Sequence, residues 1–251
     1  MKWKQKLTVS MLVSRKIEFF RRAIRSILTN QDPGEILLFK SENLTWNLEN
    51  EIKELGISAR IIPQTRAEIS VRVRARAYYP MLNNSFLCQE WMHTYDLVVR
   101  SVLEAKNEWI RTCDDDDEML YDISPHLDNV DSKVGVIIGD FIFRDDIAGY
   151  TEDRKGSAPP GRPFRPRGST NCFRKEAVEE ASKYWEPGPW PDWQLAYHMY
   201  RLGWTAEHVE ELFSIQYWHG QNSSKPRSGF ISWAALERNL AVWWDQNRGA
   251  M

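Results

Sequence analysis

Two textures alternate along the chain: short unbroken apolar runs, and longer stretches in which apolar residues recur every three or four positions. Leu7 to Val13, an apolar run interrupted by Thr8 and Ser10, reads as the first strand, and Ile17, Phe20, Ile24, Ile27 and Leu28 then share one face of a helix. Asp32-Pro33-Gly34 ends that helix, since proline lacks an amide hydrogen and glycine favours a turn. A second strand is predicted over residues 36–39. It is followed by a helix carrying Leu48, Ile52 and Leu55, with Gly56 as its carboxyl-terminal cap. Residues 59–62 read as a third short strand. Tyr95, Val98, Val99, Val102 and Leu103 form a helical face that leads into β-prone residues 108–113. Residues 134–138 and 141–143 read as strands, and residues 149–169 as a long loop rich in glycine, proline and basic residues. Helices are predicted over residues 175–184 and 192–202, the second closed by Gly203. Strands alternating with amphipathic helices predict an α/β fold: a mostly parallel central sheet flanked by helices, in a single domain of residues 1–224. Ile231, Trp233, Leu236, Leu240, Trp243 and Trp244 lie along one helical stripe. They predict a helical extension over residues 225–251 that packs on the domain.

The strand over residues 108–113 runs into Asp114-Asp115-Asp116-Asp117-Glu118. Ligands of open α/β sheets bind at the carboxyl ends of the strands, which is where these carboxylates stand. Adjacent anions repel one another, and a hard divalent cation such as Mg²⁺ or Mn²⁺ would offset that repulsion while sharing the carboxylates with a substrate phosphate. A solvated acidic turn is the competing reading.

Composition narrows the classes. The 251 residues are 42% hydrophobic and 12% aromatic, enough for a sizeable core, so the chain is not disordered. A formal net charge of -2 argues against an overall polyanion binder, although charge can be segregated into patches. One such patch is Arg72, Arg74 and Arg76, which would form the arginine face of an alternating strand and could clamp phosphates of a donor or nucleic acid, or guard a sheet edge. Cys88, Cys113 and Cys172 are too few and too scattered for a disulfide framework, so a reducing compartment is expected. The amino-terminal apolar run is too short for a signal peptide or a membrane span, and a soluble, cytoplasmic protein is expected. Twelve tryptophans are many for this length, and Trp185, Trp190 and Trp193 surround Asp192, suited equally to stacking a sugar or base and to packing.

Five motifs occur in a familiar order: Ser26-Ile27-Leu28 closing the first helix, the aspartate run, Gly168 to Lys175 as a strand-to-helix turn, Pro191-Asp192-Trp193-Gln194-Leu195 opening a helix, and Tyr217-Trp218-His219 before a polar turn. Together they resemble the family 2 glycosyltransferases, which have the GT-A fold, over about residues 8–224. The resemblance implies a metal-dependent, inverting transfer of a hexosyl or pentosyl group from a nucleotide-diphosphate sugar, with UDP the expected nucleotide. It implies an Asp-x-Asp motif with Asp114 nearer the ribose and Asp116 on Mn²⁺ or Mg²⁺, Asp117 taking that role if the register slips by one, and His219 as a further ligand. Asp114 and Asp115 are expected at the nucleotide and metal. Asp192 is expected as the general base, with an N-cap as its structural alternative. Two stretches depart from the family pattern: Val13-Ser14-Arg15-Lys16 stands where a proline is usual, and Phe39-Lys40-Ser41-Glu42-Asn43 where an aspartate pair contacts the base. Ser14, Lys40 and Glu42 are the nucleotide-binding candidates there. The acceptor would be a carbohydrate, a small molecule or a nucleic acid. Two rivals remain. A metal-dependent nuclease or phosphodiesterase would need a second acidic cluster from Asp140, Asp145 and Asp146, and a non-catalytic carbohydrate- or nucleic-acid-binding module would bind ligand without turnover.

Overall fold

The computed structural model describes residues 6–64, 99–156, 168–184 and 191–219, with residues 191–194 described by backbone alone. In chain order the strands are β1 (Leu7–Val13), β2 (Glu35–Ser41), β3 (Arg60–Gln64), β4 (Trp109–Asp114), β5 (Glu118–Met119), β6 (Val134–Asp145), β7 (Tyr150–Arg154), β8 (Asn171–Arg174) and β9 (Thr205–Trp218). The helices are α1 (Ile17–Asn30), α2 (Leu48–Glu54), α3 (Lys175–Ser182) and α4 (Pro191–Arg201), and residues 99–104 are also helical.

All these strands join one sheet in the order β3-β2-β1-β4-β8-β6-β9-β5, with β7 paired to β6. β1, β2, β3, β4, β6 and β9 share one direction, while β8, β7 and β5 run opposite. The expected mixed α/β architecture with a mostly parallel central sheet is therefore present. β1 reads as a nearly continuous apolar run because both of its faces are covered. Val9, Met11 and Val13 pack with Trp109, Cys113 and the α1 residues Phe20, Ile24 and Ile27. On the opposite face Ile110, Val136, Ile138 and Phe173 pack with Ala177 and Val178 of α3 and Leu195, Ala196 and Met199 of α4. Cys113 and Cys172 are buried free thiols within these layers.

Several element boundaries differ from the sequence reading. Leu28 and Leu103 are 47% and 56% exposed, so the apolar stripes of their helices are narrower than periodicity suggests. The two predicted strands at 134–138 and 141–143 are one strand, β6, broken in register by irregularities on both sides of Asp140. β7 occupies the start of the predicted 149–169 loop and pairs with the end of β6. Gly56 and Gly203 do close α2 and α4, with φ of 66° and 87° that a side chain would disfavour. Tyr95, Val98, the Arg72/Arg74/Arg76 strand, Trp185, Trp190 and the 225–251 extension lie outside the described residues. Among the described residues no helix is long and apolar enough to cross a membrane.

Candidate functional site

The register of the parallel strands decides where the chemistry collects. Leu12 of β1 lies beside Asp114 of β4, so the turn after β1 and the acidic loop after β4 emerge at the same edge of the sheet. β8 starts at that edge, preceded by a single 3-10 turn at Gly168–Thr170, and β9 ends there with Tyr217, Trp218 and His219.

The four aspartates are separated by their partners. The acidic loop turns tightly, with the Asp117 amide donating to the Asp114 carbonyl at 3.1 Å. Asp115 turns away from the loop: its Oδ2 accepts from the Ser14 amide at 2.7 Å and the Arg15 amide at 2.8 Å. Burial raises its carboxyl to about 7, although those two amides and the Arg15 charge favour the ionised form. The sequence reading puts Asp115 and Ser14 at the nucleotide, whereas the structure ties one to the other and makes Asp115 the anchor of the β1–α1 turn. Trp46 fixes the same turn by donating from Nε1 to the Arg15 carbonyl at 2.8 Å.

Asp117 is the second anchor. Its Oδ2 accepts from Ser169 Oγ at 2.8 Å and its Oδ1 from the Tyr217 amide at 3.1 Å, while Ser169 Oγ accepts from the Asp114 amide at 3.0 Å. Burial, then the neighbouring Asp114 and Asp116, raise the Asp117 carboxyl well above the usual carboxylate range. Both of its oxygens are engaged, one by the 3-10 turn and one by β9. Asp114 keeps some exposure, and burial together with Asp116 raises it to about 6.

Asp116 meets His219 and shares the Arg15 guanidinium with Asp115. Its Oδ2 lies 2.8 Å from His219 Nε2 and is ion-paired with Arg15 Nη1, and its carbonyl accepts from Arg22 Nη2 at 2.5 Å. Asp116 is 2% exposed. The imidazole stacks on Phe19 with ring centroids 4.6 Å apart, and the Arg22 guanidinium lies 3.6 Å from the Tyr217 ring centre. Tyr217 Oη in turn donates to Glu118. Sequence reasoning missed Arg15, Arg22 and Ser169. Nothing in their spacing marks them, because Arg15 comes from the β1–α1 turn, Arg22 from α1 and Ser169 from the 3-10 turn before β8.

The described side chains that could hold a divalent cation here are Asp116 and His219. Neighbouring ligands on an octahedral Mg²⁺-like ion at about 2.1 Å stand about 3 Å apart, close to the 2.8 Å between Asp116 Oδ2 and His219 Nε2. Among the described residues no three His, Cys, Asp or Glu side chains converge on one point, so Asp114 does not complete a three-ligand cluster with this pair. Such ions are commonly held by one or two protein ligands, with substrate phosphates filling the remaining positions.

The other candidates are dispersed. Lys40 holds Glu49 with both contacts at 2.8 Å, so it anchors the start of α2, and Glu42 lies exposed in the turn after β2. Asp192 is the second residue of α4, after Pro191 at the first helical position, so it is not an N-cap; its side chain lies outside the described residues. The α4 residue Met199 meets Gly135 at the amino-terminal end of β6, so α4 runs back across the sheet and its first turn points toward the edge that carries Asp114. Among the described residues the acidic cluster needed by a nuclease is not assembled. Asp140 Oδ1 is shared by His208 Nε2 at 2.7 Å and the Gly156 amide at 2.8 Å. Asp145 caps the amides of Ile147 and Ala148, and Asp146 pairs with Arg144.

No protein-family model matches the chain, and no curated protein sequence does. Solved structures do match. S. aureus TarS aligns with a TM-score of 0.59 at 10% identity, covering 84% of this chain and 36% of that one. S. aureus TarS 1-349 gives 0.55 at 10% identity, covering 84% and 60%. The same TarS 1-349 in complex with UDP-GlcNAc gives 0.60 at 11% identity, covering 95% and 66%. The chain thus spans between 36% and 66% of the length of these three structures. At this level of identity what the chain has in common with TarS is its fold.

Proposed function

We propose that this protein is a glycosyltransferase that takes a sugar from a nucleotide-diphosphate donor, a UDP-sugar first among the candidates, and passes it to an acceptor hydroxyl. The observation that carries the proposal is the Asp116–His219 pair, two ligand atoms 2.8 Å apart beside the acidic loop, at the carboxyl edge of the sheet where such folds bind ligands. The fold in common with TarS, which has been crystallised with UDP-GlcNAc, supports the choice of donor.

In this reading Asp116 and His219 hold Mn²⁺ or Mg²⁺, with Asp114 turned toward the nucleotide. A cation bound there supplies positive charge to the diphosphate as negative charge builds on it. The β1–α1 turn, held by Asp115 and Trp46, would form one wall of the donor site. Lys40 and Glu42 border the base side. Asp192 takes the proton of the acceptor hydroxyl as its oxygen attacks the anomeric carbon. The bond from that carbon to the diphosphate breaks with both electrons going to the phosphate, and the configuration inverts. The direction of α4 supports Asp192 in that role. The dispersal of Asp140, Asp145 and Asp146 weighs against phosphodiester hydrolysis.

A screen of nucleotide sugars with Mn²⁺ tests the proposal by measuring nucleoside diphosphate release. Release from at least one UDP-sugar, suppressed by a chelator, is expected. Cleavage of a phosphodiester substrate, with no diphosphate released from any sugar donor, would overturn it.

A further inference from the structure

One guanidinium stands between the two atoms assigned to the cation. Arg15 Nη1 is ion-paired with Asp116 Oδ2 and lies 3.0 Å from His219 Nε2, and these two partner atoms are 2.8 Å from each other. Arg15 Nε faces Asp115 Oδ1 at 3.4 Å. A ring nitrogen carries a proton or a lone pair, never both, so Nε2 cannot accept from Arg15 and donate to Asp116 at once. When Nε2 accepts from Arg15, it and Asp116 Oδ2 are two acceptors on the same Nη1, 2.8 Å from each other. Two acceptors this close without a shared positive group would repel. Arg15 therefore does electrostatically what a bound divalent cation would do at the same place.

The backbone of Arg15 is held independently of its side chain: its amide by Asp115, its carbonyl by Trp46. The guanidinium can leave without unravelling the turn. Resting on the metal-bearing reading of the site, we infer that Arg15 is the resident counter-cation of the Asp116–His219 pair, and that arginine and divalent metal exclude each other from one seat. A guanidinium displaced from that seat remains on the turn at the carboxyl end of β1. There its best partner is a diphosphate, whose oxygens suit the planar fork of arginine. Arg15 thereby couples cation entry to donor arrival: metal binding is weak while the guanidinium has nowhere better to go, and strengthens when the diphosphate receives it.

Titration of the 251-residue chain with Mn²⁺ alone, followed by electron paramagnetic resonance of the free ion, reads this directly without turnover. Arg15→Gln should bind Mn²⁺ roughly tenfold or more tightly than the wild type, the scale set by removing one positive charge within about 4 Å of the ion. Arg15→Lys, which keeps the charge, should stay near the wild type, and Asp116→Asn should abolish binding. Equal affinities in wild type, Arg15→Gln and Arg15→Lys, with binding still lost in Asp116→Asn, overturn the exclusion and leave the metal site standing. Absence of Mn²⁺ binding in every variant overturns both. Thermal melts of the Arg15 variants, expected within a few degrees of wild type, separate loss of fold from loss of site.

Discussion

Asp192 sits at the second position of α4, where a carboxylate favours the positive end of the helix dipole. Asparagine there loses about 0.3–1 kcal/mol of that interaction, yet it cannot accept a proton. Asp192→Asn is therefore expected to unfold within about 1 kcal/mol of wild type while transfer slows by roughly 10²-fold or more. Wild-type turnover in that variant would reduce Asp192 to a structural residue. His198, on the same helix, titrates in the opposite sense to the buried aspartates. It is buried, and burial lowers its imidazole to about 4 from 6.5. The folded state thus holds fewer protons than the unfolded chain between those values, and stability falls as pH drops through that window. Asp114 and Asp115, raised to about 6 and about 7, hold more protons when folded and gain stability over part of the same range. Urea unfolding at pH 7 and pH 5 should therefore be compared between wild type and His198→Gln. Wild type should lose on the order of 2 kcal/mol more than the variant. An identical pH response would show that His198 is not buried in its neutral form.

The elements that were legible are those whose pattern follows burial alone. β1, buried on both faces, matches its apolar run from Leu7 to Val13, and α1 and α2 follow their stripes. β9 escaped notice because Glu207, His208, Glu210 and Glu211 interrupt any apolar alternation. What holds it is long pairing with β6, through backbone bonds that sequence does not display. Residue 111 shows another limit. An arginine inside a strand suggests an exposed edge, yet Arg111 is fully buried, donating to Gln31, to the Tyr121 carbonyl and to the Phe213 carbonyl at 2.6 Å. Burial lowers its guanidinium to about 10. It clamps β4 to the end of α1, to the segment after the acidic loop and to β9, so the loop leaves the sheet from a fixed point. β6 bends where Gly139 meets the Phe213 ring, and a Cβ at residue 139 would come within 2.0 Å of that ring. Gly139→Ala is expected to cost about 1–3 kcal/mol, read from the denaturation midpoint, because the ring is enclosed and must move. A neutral substitution would mean that β6 and β9 can separate without loss.

At the scale of the whole molecule, the site is a meeting of the turn after β1, the acidic loop after β4, the 3-10 turn before β8 and the end of β9. The sequence marked Asp114, Asp116 and His219 because the aspartate run and the terminal Tyr217-Trp218-His219 have recognisable composition. It does not show how the aspartates divide their partners, because neighbours of one residue type differ only in what reaches them from afar: the Ser14 and Arg15 amides for Asp115, His219 for Asp116, Ser169 and the Tyr217 amide for Asp117. Nor could it reveal Arg15, which lies about 100 residues from Asp116 and 204 from His219. All of these groups serve one assignment, a diphosphate bound through a cation at the Asp116–His219 pair. Calorimetric titration of UDP into wild type and Asp116→Ala, each with and without Mn²⁺, tests that assignment most directly. Wild type should bind UDP at least roughly tenfold more tightly with Mn²⁺ than without, and Asp116→Ala should bind it equally weakly in both conditions. Equal UDP affinity in wild type with and without Mn²⁺, or an undiminished metal effect in Asp116→Ala, would contradict the account.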